Sequence, residues 1–430
     1  MQEPKSLKKH LTLFSLTLYG VGLIIGAGIY SILGAATAKA GESLWLSFLI
    51  AGSVAAFTGL SYAELSSAIP KAAAEYSYME RAFPKLKTLR FAVGLLLIFA
   101  AITTATTVAL SFASYFQIFF DFPKIMVALL LLILMGFINI LGIREATWVN
   151  IVFTFLEVFG LLIIIYFGFS ISGITTQMSA LPTSGVFSGA SLVFFAYLGF
   201  EHIANLSEET KDAERVLPRA IFWSIGITSV LYSLVAFAVL NLVSVQEISQ
   251  SENPLAVAAL TISPALEKLL SFIALGATLN TVLVSMLVAS RMIYGMSQAG
   301  TLPRFLTRLH HKKESPYASI LVVLSVAILL LPLKGVGVVA GLASWAALLG
   351  FSAVNTANIV LRRVEPKLKR PFRLKFSVKE IPVVSLLGLI SCLLLLFQLE
   401  WSIHLLGLGF LTFSMLFYFF QSKLKNPSTT

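Results

Sequence analysis

Apolar runs of about 20 residues recur along the whole chain, with short polar stretches between them. A helix of about 20 apolar residues crosses the hydrocarbon core of a bilayer, which is about 30 Å thick. The pattern therefore predicts an all-α polytopic membrane protein. We predict twelve transmembrane helices, called spans 1 to 12, at residues 11–38, 43–69, 89–120, 124–143, 146–170, 187–206, 220–244, 267–298, 317–333, 336–361, 381–398 and 401–421.

Span 1 contains four glycines, at positions 20, 22, 26 and 28. As one helix, residues 11–38 would be roughly 42 Å long, which exceeds the hydrocarbon core. Each glycine in a helix interior costs about 1 kcal/mol, and non-helical backbone persists in a bilayer only where protein buries it or where it lines a cavity. Close helix packing by small residues is the alternative, and the glycines alone do not decide between packing and a helix break.

Span 6 contains a second interruption, in which Gly199 is followed closely by Glu201 and His202. An ionisable side chain near the bilayer centre costs about 2.5–3.5 kcal/mol on insertion scales unless it faces protein or water. Spans 1 and 6 occupy corresponding positions if the fold consists of two halves with five helices each. Breaks at matched positions in two halves are typical of inverted-repeat transporters, which bind substrate between the halves.

Together, the two breaks indicate how a ligand would be held. Where span 1 unwinds, the amides near Gly26, Ala27 and Gly28 are expected to lose their intrahelical partners. These amides lie at the positive end of the following half-helix, which suits a carboxylate. Carbonyls freed at the end of the first half of span 6 suit an ammonium group. A zwitterion is the ligand that this arrangement predicts.

Composition excludes a soluble globular protein, because 57% of the residues are hydrophobic, 12% are charged and the mean hydropathy is +0.90. The net charge is +11, yet only Lys39, Lys124, Lys268 and Lys334 of the 31 Lys and Arg residues fall on one side of the predicted layout. This positive-inside distribution places both termini in the cytoplasm of a plasma (inner) membrane. We interpret the densest basic cluster, residues 362–375, as topogenic charge with affinity for anionic lipid, and we expect no nucleic-acid partner.

The remaining compositional signals add little. The one cysteine, Cys392, lies in an apolar span, so we predict no disulfide. The polar first residues are followed by no cleavage motif, so we expect no removable signal peptide. The histidines form no metal-ligand spacing, and we predict neither a metal site nor a cofactor.

Five motifs occur in order along the chain, and together they resemble those of the amino acid–polyamine–organocation superfamily of permeases over nearly its full length. They are Gly20-Val-Gly-Leu-Ile-Ile-Gly-Ala-Gly-Ile-Tyr30; Tyr62-Ala-Glu64-Leu with Ile69-Pro70-Lys and Glu75-Tyr76-Ser-Tyr78; Phe195-Ala-Tyr-Leu-Gly-Phe-Glu201 with Glu208-Glu209 and Pro218-Arg-Ala220; Ser290-Arg291-Met-Ile-Tyr294-Gly-Met with Gly300-Thr-Leu302-Pro303; and Arg370-Pro-Phe-Arg373.

The resemblance implies the LeuT-like fold, in which helices 1 and 6 are broken and two five-helix repeats are inverted relative to each other. It places the first repeat at residues 11–170, the second at 187–361, two peripheral helices at 381–421, and cytoplasmic termini at 1–10 and 422–430. It also implies a substrate site in which one segment holds the carboxylate and another holds the amine and shapes the pocket. The first segment is Ile25, Gly26, Ala27, Gly28 and Ile29, and the second is Phe195, Ala196, Tyr197, Leu198 and Gly199.

The chain departs from the family pattern at two loops. Ala73-Ala74 stands where many relatives have Gly-Gly, and Asp212-Ala213 stands where relatives often have Asn-Pro. Neither departure touches the implied substrate site.

Glu157 is a sharper departure. It lies eleven residues into span 5, roughly 17 Å from the start and so near the midplane. Counted from Asn139-Ile-Leu-Gly142, its position resembles that of a lysine whose ammonium substitutes for sodium in several proton-coupled relatives.

Three interpretations of Glu157 stay open. In the first, Glu157 loads and releases a proton, because desolvation disfavours the charged form of a carboxyl group. In the second, it is an oxygen ligand for sodium, together with side chains of span 8. In the third, it is a protonated side chain that has no role in coupling. The span 8 candidates are Thr278, Asn280 and Thr281.

Glu157 and Glu201 are the two acidic residues that this layout places deep in spans. Glu201 either selects a cationic substrate side chain or is satisfied by exposed helix-terminal amides or water, and we favour the second interpretation. In span 3, four threonines either line the pathway or bond carbonyls of their own helix: Thr103, Thr104, Thr106 and Thr107.

We therefore predict a secondary active transporter that moves amino acids by alternating access, with proton-coupled symport of neutral amino acids as the favoured mode. Ala27, Phe195 and Tyr197 indicate a modest, partly apolar pocket. The alternatives are an amino acid/polyamine exchanger and a cationic amino acid carrier without proton coupling. A channel or receptor needs no paired unwound helices, and the chain has no hydrolase or metalloprotease motif, so we predict no enzyme.

Overall fold

The computed structural model of the chain describes residues 11–26, 28–70, 74–142, 147–170, 185–204, 206–207, 210–310, 315–333 and 335–425. Several features named above lie outside these ranges: Ala27, Ala73, Glu208, Glu209, Lys334 and the terminal residues 1–10 and 426–430.

The described chain is almost entirely helical. Its helices are α1 (Leu13–Ile25), α2 (Gly28–Ala40), α3 (Leu44–Ala68), α4 (Ala74–Ala82), α5 (Lys87–Phe116), α6 (Lys124–Ile140), α7 (Thr147–Ser170), α8 (Val186–Val193), α9 (Phe200–Ala204), α10 (Ala213–Leu242), α11 (Val245–Gln250), α12 (Pro254–Leu260), α13 (Pro264–Gln298), α14 (Tyr317–Leu330), α15 (Val336–Val364), α16 (Val383–Phe397) and α17 (Trp401–Lys425). Short 3₁₀ helices lie at Gly41–Ser43, Phe194–Tyr197 and Arg304–Thr307. A small antiparallel hairpin pairs β1 (Ser377–Val378) with β2 (Ile381–Pro382).

Helix occupies each of the twelve predicted spans. In the described part of the chain, eight helical segments are long and apolar enough to cross a membrane, and four shorter apolar helices have 10–17 residues. The chain is therefore an all-α, integral, multi-pass membrane protein.

Some helix ends differ from the predicted ones, and some elements were not predicted. Helix α10 begins at Ala213 rather than at residue 220, with Pro218 inside it, because the helix continues into polar sequence that hydropathy assigns to a loop. The short helices α4, α11 and α12 lie between the spans, and the β1–β2 hairpin reaches the first two residues of the predicted span 11. Helix α11 begins at a local cap, where the Ser244 side chain accepts a hydrogen bond from the Glu247 amide, and an apolar-run pattern does not register such a signal.

The helices pack so that both broken spans lie inside the protein. Helix α10 packs against α3 and α1, and α5 packs against α13 and α15. Residues at the breaks, such as Ile25, Ile29 and Ala196, are consequently buried.

Helices α3, α15 and α16 are joined by buried polar side chains. Ser61 Oγ donates to Asn355 Oδ1 at 2.7 Å, and Asn355 Nδ2 donates to Thr58 Oγ1 at 3.0 Å. Asn358 Nδ2 donates to Ser385 Oγ of α16 at 2.9 Å. Hydrogen bonds inside an apolar core are costly to break. Helix α16, expected to be peripheral, is therefore firmly tied to the core.

Glu64, near the end of α3, forms a second buried polar contact between α3 and α15. Its carboxylate accepts hydrogen bonds from Arg362 Nε at 2.8 Å and from Arg362 Nη2 at 2.5 Å, and Arg370 Nε lies 3.4 Å away. The Leu374 amide donates to the same carboxylate at 2.9 Å. Arg362 and Arg370 of the basic cluster therefore pair with a carboxylate inside the protein, where they are not free to contact lipid headgroups.

Ion pairs also join loops that the layout places on the non-cytoplasmic side. The Lys39 ammonium lies 2.5 Å from Glu400 Oε1, and Lys124 Nζ lies 2.6 Å from Glu252 Oε2. The hydrogen bond from Lys39 holds the pKa of the Glu400 carboxyl below its usual range.

Candidate functional site

Span 1 breaks where the sequence predicts. Helix α1 ends at Ile25, Gly26 has φ 18° and ψ −128°, and α2 begins at Gly28. The Gly26 amide donates to the Gly22 carbonyl at 2.9 Å, so this amide keeps its intrahelical partner, contrary to expectation. Ala27, the remaining residue of the break, lies outside the described residues.

Span 6 breaks through a 3₁₀ turn. Helix α8 ends at Val193, the 3₁₀ helix covers Phe194–Tyr197, and Leu198 has extended backbone with φ −62° and ψ 138°. Gly199 then has φ +124°, and a Cβ atom there would lie 2.8 Å from the Leu23 carbonyl oxygen. Only glycine adopts this conformation readily. The break therefore depends on Gly199 and on its close approach to α1.

The two breaks touch each other. A Cβ atom at Gly28 would lie 2.7 Å from the Cα atom of Ala196, so the start of α2 lies directly against the 3₁₀ turn. A Cβ atom at Gly26 would lie 2.5 Å from Thr281 Oγ1 of α13. The structure thus brings together the predicted residues of span 1, span 6 and span 8.

Tyr232 of α10 links the two breaks through one hydroxyl group. Its oxygen lies 2.7 Å from the carbonyl oxygen of Ile24, 3.2 Å from that of Ile25 and 3.1 Å from that of Ala196. The side chain is fully buried. Sequence reasoning missed Tyr232, because a lone tyrosine in an apolar span carries no motif.

Replacement of Tyr232 by phenylalanine should slow substrate uptake about tenfold. The carbonyls at the breaks then lose the one hydroxyl proton that they share, and a buried polar group without its partner costs about 1–3 kcal/mol, where 1.4 kcal/mol corresponds to tenfold. Tyr115→Phe is a matched control, since the Tyr115 hydroxyl also donates to a buried carbonyl, that of Tyr30 at 3.2 Å, but contacts neither break. Equal initial uptake rates for the two variants in proteoliposomes would refute the bridging role of Tyr232.

A small cavity adjoins the breaks. The space open to water-sized molecules is about 50 Å³, which holds a few water molecules, so entry of an amino acid requires the surrounding helices to separate. The lining residues are Gly22, Leu23, Glu75, Leu97, Ala100, Ala101, Thr104, Leu198, Gly199, Glu201, His202, Asn280, Thr281, Val284, Ser285, Met292 and Ala347.

Among the predicted substrate-binding residues, Leu198 and Gly199 line this cavity. Ile25 and Ile29 are fully buried, and Phe195 is 3% exposed. Tyr197 is buried too, and its hydroxyl donates to the Phe48 carbonyl at 2.8 Å.

Two carboxyl groups line the cavity. Glu201 Oε2 accepts a hydrogen bond from the Gly199 amide at 2.9 Å, and Glu201 Oε1 lies 3.9 Å from His202 Nε2. Glu75 Oε1 accepts a hydrogen bond from the Tyr62 hydroxyl at 3.3 Å. Glu75 was not among the predicted site residues, although it belongs to the motif after span 2. Amide capping of Glu201 agrees with the favoured interpretation of that residue.

The threonines of span 3 divide between the two interpretations. Thr103, Thr106 and Thr107 donate to carbonyls of their own helix at 2.7, 3.0 and 2.8 Å, whereas Thr104 lines the cavity.

Glu157 lies buried in α7, with 1% of its surface exposed. Its Oε2 atom has no hydrogen-bond partner among the described residues. The carboxyl interacts electrostatically with the hydroxyl groups of Tyr30 and Tyr232.

The three predicted residues of span 8 have separate surroundings. Thr278 donates to the Ala274 carbonyl of its own helix at 2.6 Å, and Thr281 donates to the Ala277 carbonyl at 3.0 Å. Asn280 and Thr281 line the cavity. Over the described ranges, no group of three or more His, Cys, Asp or Glu side chains is placed to hold a metal ion.

Comparisons with known proteins give a consistent picture. A family model described as amino acid permease matches residues 11–420. The branched-chain amino acid permease BcaP and the methylthioribose transporter, both of Bacillus subtilis, are each 28% identical to this chain, over 97% of the chain and 94% of the relative. The chloroplastic cationic amino acid transporter 9 of Arabidopsis thaliana is 31% identical over 71% of the chain and 58% of the relative.

Proposed function

This chain belongs to the amino acid permease family, and from that premise we propose that it carries an amino acid across a membrane by alternating access. The contact between the two breaks, where Gly28 meets Ala196 and the Tyr232 hydroxyl reaches carbonyls of both, carries the proposal. The substrate carboxylate binds at residues 25–29 and its amine at residues 195–199.

The finer architecture belongs to the same proposal. Two inverted repeats, at residues 11–170 and 187–361, form a LeuT-like fold with twelve spans, and residues 381–421 form the two helices outside the repeats. Interrupted helices at spans 1 and 6 support this arrangement. Both termini lie on the cytoplasmic side of a plasma membrane, as the positive-inside distribution predicts. The ion pairs Lys39–Glu400 and Lys124–Glu252 support the grouping of the loops, because each pair joins two loops that the layout assigns to the same side.

Neutral amino acids are the proposed substrates. The names of the three relatives specify different substrates: branched-chain amino acids, methylthioribose and cationic amino acids. The similarity therefore leaves the substrate of this chain open. Leu97, Leu198, Val284 and Met292 give the cavity an apolar lining that suits a neutral side chain. The second candidate is a cationic amino acid, and the carboxyl groups of Glu75 and Glu201 favour it.

Uptake by purified protein in proteoliposomes tests the function. We expect saturable uptake of a labelled neutral aliphatic amino acid, with stronger competition by unlabelled neutral amino acids than by arginine or lysine. Stronger competition by arginine would select the cationic substrate. Lack of saturable uptake of any amino acid, with ion conductance in its place, would refute the carrier.

Glu157 is the proposed proton carrier. Replacement of Glu157 by glutamine should abolish accumulation driven by an inward proton gradient, because the amide has similar size but cannot gain or lose a proton. Exchange of substrate across the membrane should continue, which shows that the variant is folded. Unchanged driving by the proton gradient would refute this role, and driving by a sodium gradient in the native protein would favour the sodium interpretation.

A further inference from the structure

Two buried polar atoms of α7 and α2 have no hydrogen-bond partner among the described residues. They are the Oε2 atom of Glu157 in α7 and the hydroxyl oxygen of Tyr30 in α2, in side chains that are 1% and 0% exposed. Buried polar groups of native proteins nearly always bond to protein or to ordered water. Two such atoms near each other point to one small ligand that satisfies both.

Gly160 shows how the two groups face each other. It follows Glu157 by three residues, so both lie on the same side of α7. The Tyr30 hydroxyl oxygen lies 3.6 Å from the position that a Cβ atom would occupy at Gly160. The phenol of Tyr30 also interacts electrostatically with the Glu157 carboxyl. The Tyr30 phenol therefore reaches the side of α7 that carries Glu157.

Several helices that pack against α7 carry further titratable groups. Tyr232 of α10 is the other titratable group that interacts electrostatically with Glu157. From α13, Leu270 and Ile273 reach the position of Gly160, and α12 carries no titratable residue. Helix α1, which also packs against α7, carries Tyr19, and α13 carries Glu267 and Lys268 near its start.

We propose that Glu157 and Tyr30 hold one water molecule between them, and that this bridged pair is the proton-binding site of the carrier. When Glu157 is ionised, the Tyr30 hydroxyl donates a hydrogen bond to the water, and the water donates a hydrogen bond to Glu157 Oε2. With Glu157 protonated, the carboxyl donates to the water and the water donates to the Tyr30 oxygen. The proton enters from bulk water and returns to it, and the phenol is never ionised.

The site also explains how substrate and proton become coupled. Tyr30 lies two residues after Gly28, which lies against Ala196 at the meeting point of the breaks. A movement of α2 when substrate binds changes the separation of Tyr30 from Glu157, and with it the stability of the ionised carboxylate. The inference therefore rests on the proposed amino acid carrier and names the means of its coupling.

Tyr30→Phe tests the site. Uptake by proteoliposomes is measured over a range of external pH. The midpoint of the pH dependence of uptake should move to higher pH by about one unit, because the ionised Glu157 carboxylate loses the hydrogen-bond donation that begins at the Tyr30 hydroxyl. Tyr78→Phe is the matched control, since the Tyr78 hydroxyl is also buried without a partner among the described residues but lies in α4. In the Glu157→Gln background, Tyr30→Phe should cause no further change. An unmoved midpoint in Tyr30→Phe, or an equal shift in Tyr78→Phe, overturns the proposal.

A second measurement needs no transport. Purified protein in weakly buffered detergent solution receives the transported amino acid, and a pH indicator records protons taken up or released. The native protein should exchange a proton, Tyr30→Phe should show the same shifted pH dependence, and Glu157→Gln should show no exchange. Substrate binding to the native protein without any proton exchange overturns the site but leaves the amino acid carrier standing, whereas a native protein that shows no amino acid uptake in proteoliposomes overturns both.

Discussion

Replacement of Gly199 by alanine should reduce amino acid uptake about tenfold or more. The residue has φ +124°, and an added Cβ atom would lie 2.8 Å from the Leu23 carbonyl oxygen. Backbone strain of this kind amounts to about 1–3 kcal/mol, and the contact with a backbone oxygen adds to it. Relief requires the span 6 break to move away from α1, which separates the groups proposed to bind the substrate. Initial uptake per reconstituted protein is the measurement.

Gly226→Ala provides the control for that prediction. Gly226 lies within α10, and a Cβ atom there would meet nothing within 4 Å. Alanine is favoured over glycine in a helix by about 1 kcal/mol, so this variant should transport like the native protein. If Gly199→Ala took up the amino acid at the rate of the native protein, the geometry of the span 6 break would not be needed for transport.

Replacement of Arg362 by methionine should lower the free energy of unfolding by about 3 kcal/mol. Glu64 and Arg362 are fully buried, and removal of one partner of such a pair leaves an uncompensated charge, which costs about 3–5 kcal/mol. Arg370, whose Nε lies 3.4 Å from the carboxylate, keeps the expected loss near the lower end of that range. The measurement is the shift in Tm of the purified protein in detergent.

Two further variants make this prediction specific. Lys39→Met removes a positive charge from an exposed ion pair, in which the Lys39 side chain is 43% exposed and the Glu400 side chain is 53% exposed. Exposed ion pairs contribute about 0–1 kcal/mol to stability, so the Tm of this variant should change little. Glu64→Gln combined with Arg362→Met should recover part of the lost stability, because no isolated carboxylate remains. Similar small Tm shifts for Arg362→Met and Lys39→Met would contradict a structural role for the buried pair.

The sequence predicted the helical spans and both breaks because these features are local. Glycines at 26, 28 and 199 mark positions where the helix cannot continue or where backbones approach closely, and that information lies within a few residues. The structure divides spans 1 and 6 at these positions. Short elements such as α4 lack a long apolar run, so a hydropathy pattern does not register them.

Contacts between distant segments could not be predicted in the same way. Tyr232 meets Ile24 across more than 200 residues of chain, and Arg362 meets Glu64 across nearly 300. No local pattern specifies such pairs, because each depends on how whole helices pack. Glu64 illustrates the limit: hydropathy placed it near a helix end, whereas packing of α15 and of the segment around Leu374 buries it completely.

The central claim is that an amino acid binds where the two helix breaks meet, and protection of a single thiol there tests it most directly. The native chain has one cysteine, the fully buried Cys392, so Leu198→Cys adds one accessible thiol beside the cavity. The transported amino acid should slow maleimide labelling of Leu198→Cys in proportion to occupancy and leave labelling of Gln246→Cys, an exposed position in α11 away from the cavity, unchanged. Equal labelling of Leu198→Cys with and without substrate, in a variant that still transports, would contradict the account.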